Sequence, residues 1–140
     1  MTPPYTTLVT DLARHLHNAG IGQFNPHGVY RKTTPPPIYI GIIPDEAGVA
    51  IGIAEYGDDR WRDDTSPDKL VQIRVRGDRD PLTPMRIADQ IFTLLHRQSS
   101  YRLDNATTVL SSYRHLRAPG DRDTNLRWHQ ADSYTFTLNP

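Results

Sequence analysis

Six histidines, a run of aspartates and an Arg-Gly-Asp tripeptide are the residues whose types could do chemistry. His15 and His17 fall two apart on a helix-patterned stretch, so they point in different directions and cannot share a metal. His96 stands at the end of a second helical pattern, where a cationic or hydrogen-bonding side chain suits the exposed carbonyls. His27, His115 and His129 come with no second ligand at ligand spacing. Ser99-Ser100 and Ser111-Ser112 fall in helix-end and strand contexts, and the sequence holds no Gly-x-Ser-x-Gly elbow. Gly20-Ile21-Gly22 lacks the third glycine and the following helix of a phosphate loop. Asp58, Asp59, Asp63, Asp64 and Asp68 gather carboxylates enough for a divalent cation. They lack the alternating Asx run closing on Glu that a calcium loop uses. Arg76-Gly77-Asp78 reads as a strand end and a turn, with acids preceding a helix. The expectation is a chain with no catalytic residue, no cofactor and no metal.

Bulk composition narrows the class further. A chain of 140 residues has the length of one domain and buries roughly 68% of its unfolded surface. It holds no cysteine, which removes thiolate nucleophiles, Cys-based zinc sites and disulfide scaffolds together. Lys plus Arg and Asp plus Glu each number 16, so no overall basic field gathers phosphates, and generic nucleic-acid binding is disfavoured. Lys32 and Lys69 are the only lysines, and arginine, which forms forked contacts with carboxylates, carries the rest of the positive charge. No apolar run reaches the length of a membrane span. Met1 to Tyr5 has no secretory pattern.

The elements that must position these residues follow from periodicity. Residues 5–19 predict a helix, with Leu8, Val9, Leu12 and Leu16 on one face and Gly20 as its C-terminal cap. Ile21 to Pro37 is a connection whose proline triplet leads into a strand, Ile38–Ile43. Pro44 to Gly48 turns the chain into a second strand, Val49–Ala54. Tyr56 to Asp68 is an acid-rich excursion, longer than a usual hairpin loop. Leu70–Arg76 is a third strand, with Val71, Ile73 and Val75 on one face. Thr83 is the expected N-cap of a second helix, with Pro84 at its first position and Ile87, Ala88, Ile91, Leu94 and Leu95 as its stripe. Thr107–Tyr113 and Trp128–Leu138 predict two more strands, joined through 117–125. The order α-β-β-β-α-β-β predicts an α+β fold, an antiparallel or mixed five-stranded sheet with two helices packed on one face. Residues 1–140 are expected to form a single domain.

That packing leaves a polar sheet face. Gln72, Arg74 and Arg76 form its outward row, and Thr135 and Thr137 join them. Trp61, flanked by Arg60 and Arg62 in the acidic excursion, has too few apolar neighbours to be core by pattern. Trp and Arg favour protein interfaces, so Arg60, Trp61 and Arg62 join the row as candidate contacts.

Motif order then carries a resemblance. An amphipathic first helix ends in Ala19-Gly20-Ile21-Gly22, followed by Gly28-Val29-Tyr30. Next come Ile43-Pro44-Asp45, Val49-Ala50-Ile51 and Val71 to Gly77. The helix Ala88 to His96 follows, and Gly120-Asp121-Arg122-Asp123 leads to the final strand Tyr134 to Leu138. In this order, over nearly the whole chain, the sequence resembles the tail terminator family of long-tailed bacteriophages, including minor capsid or neck proteins. The resemblance implies a structural virion protein without catalysis. It implies a homo-oligomeric ring, a hexamer, that caps the tail tube, ends its polymerisation and forms the head–tail joining interface. Its partners would be itself, the tail tube protein and the head–tail connector protein. DNA would pass through the lumen without sequence-specific binding, and no membrane is involved. Assembly would occur in the bacterial host cytoplasm and the product would reside in the virion tail or neck. Asp121, Arg122 and Asp123 join Gln72, Arg74 and Arg76 as candidate subunit or tube contacts. Two alternatives remain: a head-completion or connector protein of the neck, and a small metal-assisted hydrolase using the acidic excursion.

Overall fold

Two helices cover one face of a seven-stranded, mostly antiparallel sheet in a computed structural model that describes residues 7–27, 29–60, 66–104 and 107–139. The elements are α1 (Leu8–Asn18), β1 (Ile38–Ile40), β2 (Ala50–Asp59), β3 (Asp68–Arg76), α2 (Leu82–Leu95), β4 (Gln98–Leu103), β5 (Thr107–Arg117), β6 (Asp121–Arg122) and β7 (Trp128–Leu138). The strands lie in the order β1-β2-β3-β7-β5-β4, with β6 added beside β7. Among the described strands, β1 and β2 pair parallel and the other pairs are antiparallel.

Burial of alternate side chains organises the core. Val71, Ile73 and Val75 of β3 and Tyr134, Phe136 and Leu138 of β7 are fully or nearly fully buried. They share one cluster with Leu8, Leu12 and Leu16 of α1 and Ala88, Ile91 and Leu95 of α2. Each fully buried Leu, Ile or Val contributes about 1.5–3 kcal/mol relative to exposure. α1 ends in a Schellman arrangement, as Gly20 requires with its φ of +79°. The Gly20 N–H donates to His17 O and the Ile21 N–H to Leu16 O.

The strand count corrects the expectation of five, and four strands rather than two follow α2. β4 is polar and sits at the sheet edge, where one ladder to β5 suffices, so its sequence carries no clean alternation. β6 is two residues long. β1 is shorter than the apolar run that suggests it, because Gly41 takes a φ of +87° and turns the chain away, leaving Ile42 89% exposed. The acidic excursion is strand as far as Asp59 and again from Asp68, which pair with each other. Thr83 is not the N-cap. α2 begins at Leu82 after Pro81, and the Asp80 carboxylate accepts the Leu82 N–H at 3.0 Å. Pro84 fits in that first turn because an N–H there would lack an intrahelical partner anyway. Arg76-Gly77-Asp78 is a turn: the Gly77 N–H donates to Trp128 O and the Trp128 N–H to Asp78 O. A Cβ at Gly77 would stand 2.4 Å from Pro84 Cδ.

Candidate interaction face

The sheet face away from the helices is set by register. Gln72 pairs with Ala54 and Ser133, Arg74 with Gly52 and Ala131, and Arg76 with Ala50 and His129. Thr135 and Thr137 share this face, as expected from their alternation with Tyr134 and Phe136. Its side chains divide into a charged end and an apolar end.

At the charged end the two β3 arginines have different surroundings. Arg76 is 2% exposed. Its Nε donates to Gly48 O at 3.2 Å, and its Nη2 donates to Pro44 O at 2.8 Å and to Ala47 O. Burial, then the neighbouring charge of Arg127, pulls its pKa below the usual arginine value. Arg127 holds the same loop from the other side, donating from Nη1 to Asp45 O at 2.9 Å. Arg76 is thus a fastener for the 44–48 loop rather than an open guanidinium. Arg74 is 38% exposed along its side chain and lies 3.9 Å from the Asp121 carboxylate.

Asp123 organises the loop that faces it. Its carboxylate accepts the backbone N–H groups of Asn125 and Arg127, the Arg127 Nε at 2.9 Å, and the His129 Nε2 at 2.8 Å. The His129 bond, followed by those from residues 125 and 127, holds its pKa well below the usual carboxylate range despite an opposing desolvation effect. With its proton on Nε2, His129 presents Nδ1 as an acceptor to Arg74 Nη1, 3.4 Å away. These groups and the 41–43 segment enclose a groove of about 440 Å³.

The apolar end lies towards β5. Tyr113, Leu116 and Tyr56 are 44%, 57% and 53% exposed. Tyr56 Oη lies 3.0 Å from His115 Nε2, and His115 Nδ1 lies 2.8 Å from Thr135 Oγ1. Leu116 escapes the sequence reading because β5 runs on to Arg117 instead of stopping at Tyr113. The available signal was the absence of a turn residue before Ala118-Pro119-Gly120.

The structure therefore brings Gln72, Arg74, Arg76 and Asp123 together around one groove, with Asp121 beside Arg74. Arg122 turns to Trp128 instead, its guanidinium 5.8 Å from the ring centre. Arg60 lies past the other end of β2, bonded through Nε to Asp58 at 3.1 Å. Trp61 and Arg62 lie outside the described residues. Among the described residues no group of three or more His, Asp or Glu side chains is placed to hold a metal ion. Nor is any helix among them long and apolar enough to cross a membrane.

A family model described as bacteriophage tail terminator protein matches residues 15–140. The chain belongs to the bacteriophage tail terminator family. The match agrees with the resemblance carried by motif order and covers both faces of the sheet. This tail terminator family member is a structural phage protein and virion component, not an enzyme, and it works through contacts with other phage tail or head components. Comparison with curated proteins gives no match.

Proposed function

We propose that this protein, as one domain over residues 1–140, caps the tail tube as a homohexameric ring. It ends tube polymerisation and forms the head–tail joining interface of the virion, as a minor capsid or neck component assembled in the host cytoplasm. The observation that supports this reading is the uncovered sheet face, where Tyr56, Tyr113 and Leu116 stand exposed beside the Arg74 groove. Exposed apolar patches next to charged rims suit protein partners. Its partners are further copies of itself, the tail tube protein and the connector protein. Gln72, Arg74, Asp121, Arg122 and Asp123 belong to the contacts with subunit or tube, as do Arg60, Trp61 and Arg62. Arg76 takes part through the loop it fastens. DNA passes through the lumen without sequence-specific contact, in keeping with the zero net charge.

Deleting the gene in the parent phage tests the role. Overlong or unfinished tails are expected by electron microscopy, and tails of normal length joined to heads would overturn it. Tails of normal length left unattached to heads would assign the protein to the connector instead.

A further inference from the structure

Among the described residues Ile42 is the large apolar side chain most open to water, 89% exposed, yet the segment that carries it is held at both ends. The Gly41 N–H donates to Ile53 O at 2.7 Å, and the Gly41 φ of +87° turns the chain outward. Ile43 packs the other way, onto β2, where a Cβ at Gly52 would stand 2.9 Å from its Cγ1. Arg76 clamps the carbonyls of Pro44, Ala47 and Gly48, and Arg127 clamps that of Asp45. Ile42 is thus an apolar knob fixed in place before any partner arrives, and such pre-organisation favours binding. Two acids share its loop: Asp45, whose side chain is 96% exposed, and Glu46, also exposed.

A complementary hollow lies on the other flank of the sheet. Pro81, Pro84 and Met85 at the start of α2, Ala118 and Pro119 after β5, and Trp128 at the start of β7 line a pocket of about 410 Å³. Arg86 follows Met85, its side chain 66% exposed and 3.9 Å from Asp80. Arg122 is exposed and stands over the Trp128 ring. An apolar hollow with two exposed arginines beside it matches an apolar knob with two carboxylates beside it. Knob and hollow do not meet inside one copy. Among the described residues none from 41–48 lines the pocket. β3 and β7 stand between β2 and β5, which sets those two strands roughly 14 Å apart. Different surfaces on opposite flanks can join neighbouring copies head to tail, the kind of contact that closes into a ring.

We propose that Ile42 of one copy, with Asp45 and Glu46 beside it, seats in the proline–tryptophan pocket of the next. This rests on the ring reading above and names the two surfaces that make the ring contact. It also gives the burial of Arg76 a purpose, because the loop it fastens is the loop that docks.

Cross-linking tests the contact directly, because the chain holds no cysteine of its own. Ile42→Cys and Met85→Cys are made in separate chains, mixed, and treated with a short bis-maleimide. The conditions are those in which the wild type forms rings, with tail tube protein if needed. The mixture should give a covalent dimer joining one chain of each kind, identified by mass, and neither variant alone should give a comparable product. Leu82→Cys, at an exposed position of the same helical turn, replaces Met85→Cys if that variant does not fold. Ile42→Ser changes a side chain already in water, so the thermal melt of the monomer should stay in place. Mass photometry should nevertheless show that Ile42→Ser needs at least about tenfold more protein to form rings. Ile42→Ser rings at the wild-type concentration, or rings of the mixture that yield no mixed dimer, would overturn the contact while leaving the ring itself standing. A wild type that stays monomeric even with tube protein would overturn both.

Discussion

Two arginine–aspartate clusters lie on opposite faces of β7, and comparing them shows what covering a sheet face does to charge. Under α2, Asp132 is 2% exposed and receives Arg117 through Nε and Nη2, both at 3.0 Å, and Arg114 at 3.5 Å. Arg117 also reaches Asp89 on α2 at 3.0 Å, and the Arg114 guanidinium lies 4.0 Å from the Phe92 ring centre. These bonds tie helix to sheet, and the Asp132 hydrogen bond raises the Arg117 pKa further. On the open face, Arg76, Arg127 and Asp123 instead tie loops to the sheet, and Arg74 keeps unused donors. A covered face demands that charge be matched inside the subunit, because an unpaired buried ion is costly. An open face can leave charge for a partner.

The comparison can be broken most forcefully at Asp132. Asp132→Ala leaves two partly buried arginines without their shared carboxylate, and a loss of about 3 kcal/mol in urea denaturation is expected. A loss under about 1 kcal/mol would show that the cluster under α2 does not hold the helix. Next comes Arg76→Ala, which frees the 44–48 loop from its carbonyl clamp. It should cost about 2 kcal/mol, whereas Arg74→Ala, two residues away, should cost under about 0.5 kcal/mol. Equal losses would erase the distinction between fastener and contact.

Acid should separate the faces by a smaller margin. Because folding lowers the Asp123 pKa, its contribution is fully present above the ordinary carboxylate value of about 4 and is lost progressively as the pH falls below it. Stability measured against pH should fall less steeply there for Asp123→Asn than for the wild type. Base probes the core side. The Tyr101 hydroxyl, hydrogen-bonded to Ser112 Oγ at 2.6 Å, is pushed up to about 12 by burial. The unfolded chain loses this proton near 10, so Tyr101 destabilises the fold between pH about 10 and about 12, an increment that Tyr101→Phe should remove. Smallest of all, Leu116→Ser should change the monomer by under about 0.5 kcal/mol. Its effect should appear as weaker association with tube or neighbour in sedimentation, and unchanged association would remove the apolar end from the interface.

The sequence was most legible where the period was clean. Val71, Ile73 and Val75 alternate so strictly that their burial and the outward row of Gln72, Arg74 and Arg76 could be read directly. It was least legible at β4, whose Gln98-Ser99-Ser100 start offers no apolar alternation, and at Tyr56–Asp59, where acidic residues disguise a strand. In both places ladder bonds to an established neighbour make the strand, overriding weak local preference. For the candidate face, residue types and alternation singled out Gln72, Arg74 and Arg76, and the resemblance carried by motif order added Asp123. They could not say that Arg76 would be buried by a loop from residues 44–48, nor that Leu116 would share the face.

Sequence alone determined the two helical stripes, the core-facing sides of β3 and β7, the Gly20 cap and, through motif order, the family. Each depends on local period, on a single backbone conformation or on the linear sequence of motifs. Only the tertiary structure decided which arginine is fastened and which is free. That choice depends on where distant carbonyls and carboxylates converge: Pro44, Ala47 and Gly48 reach Arg76 of β3, and Asp123 reaches His129 of β7, only when the loops close over the finished sheet.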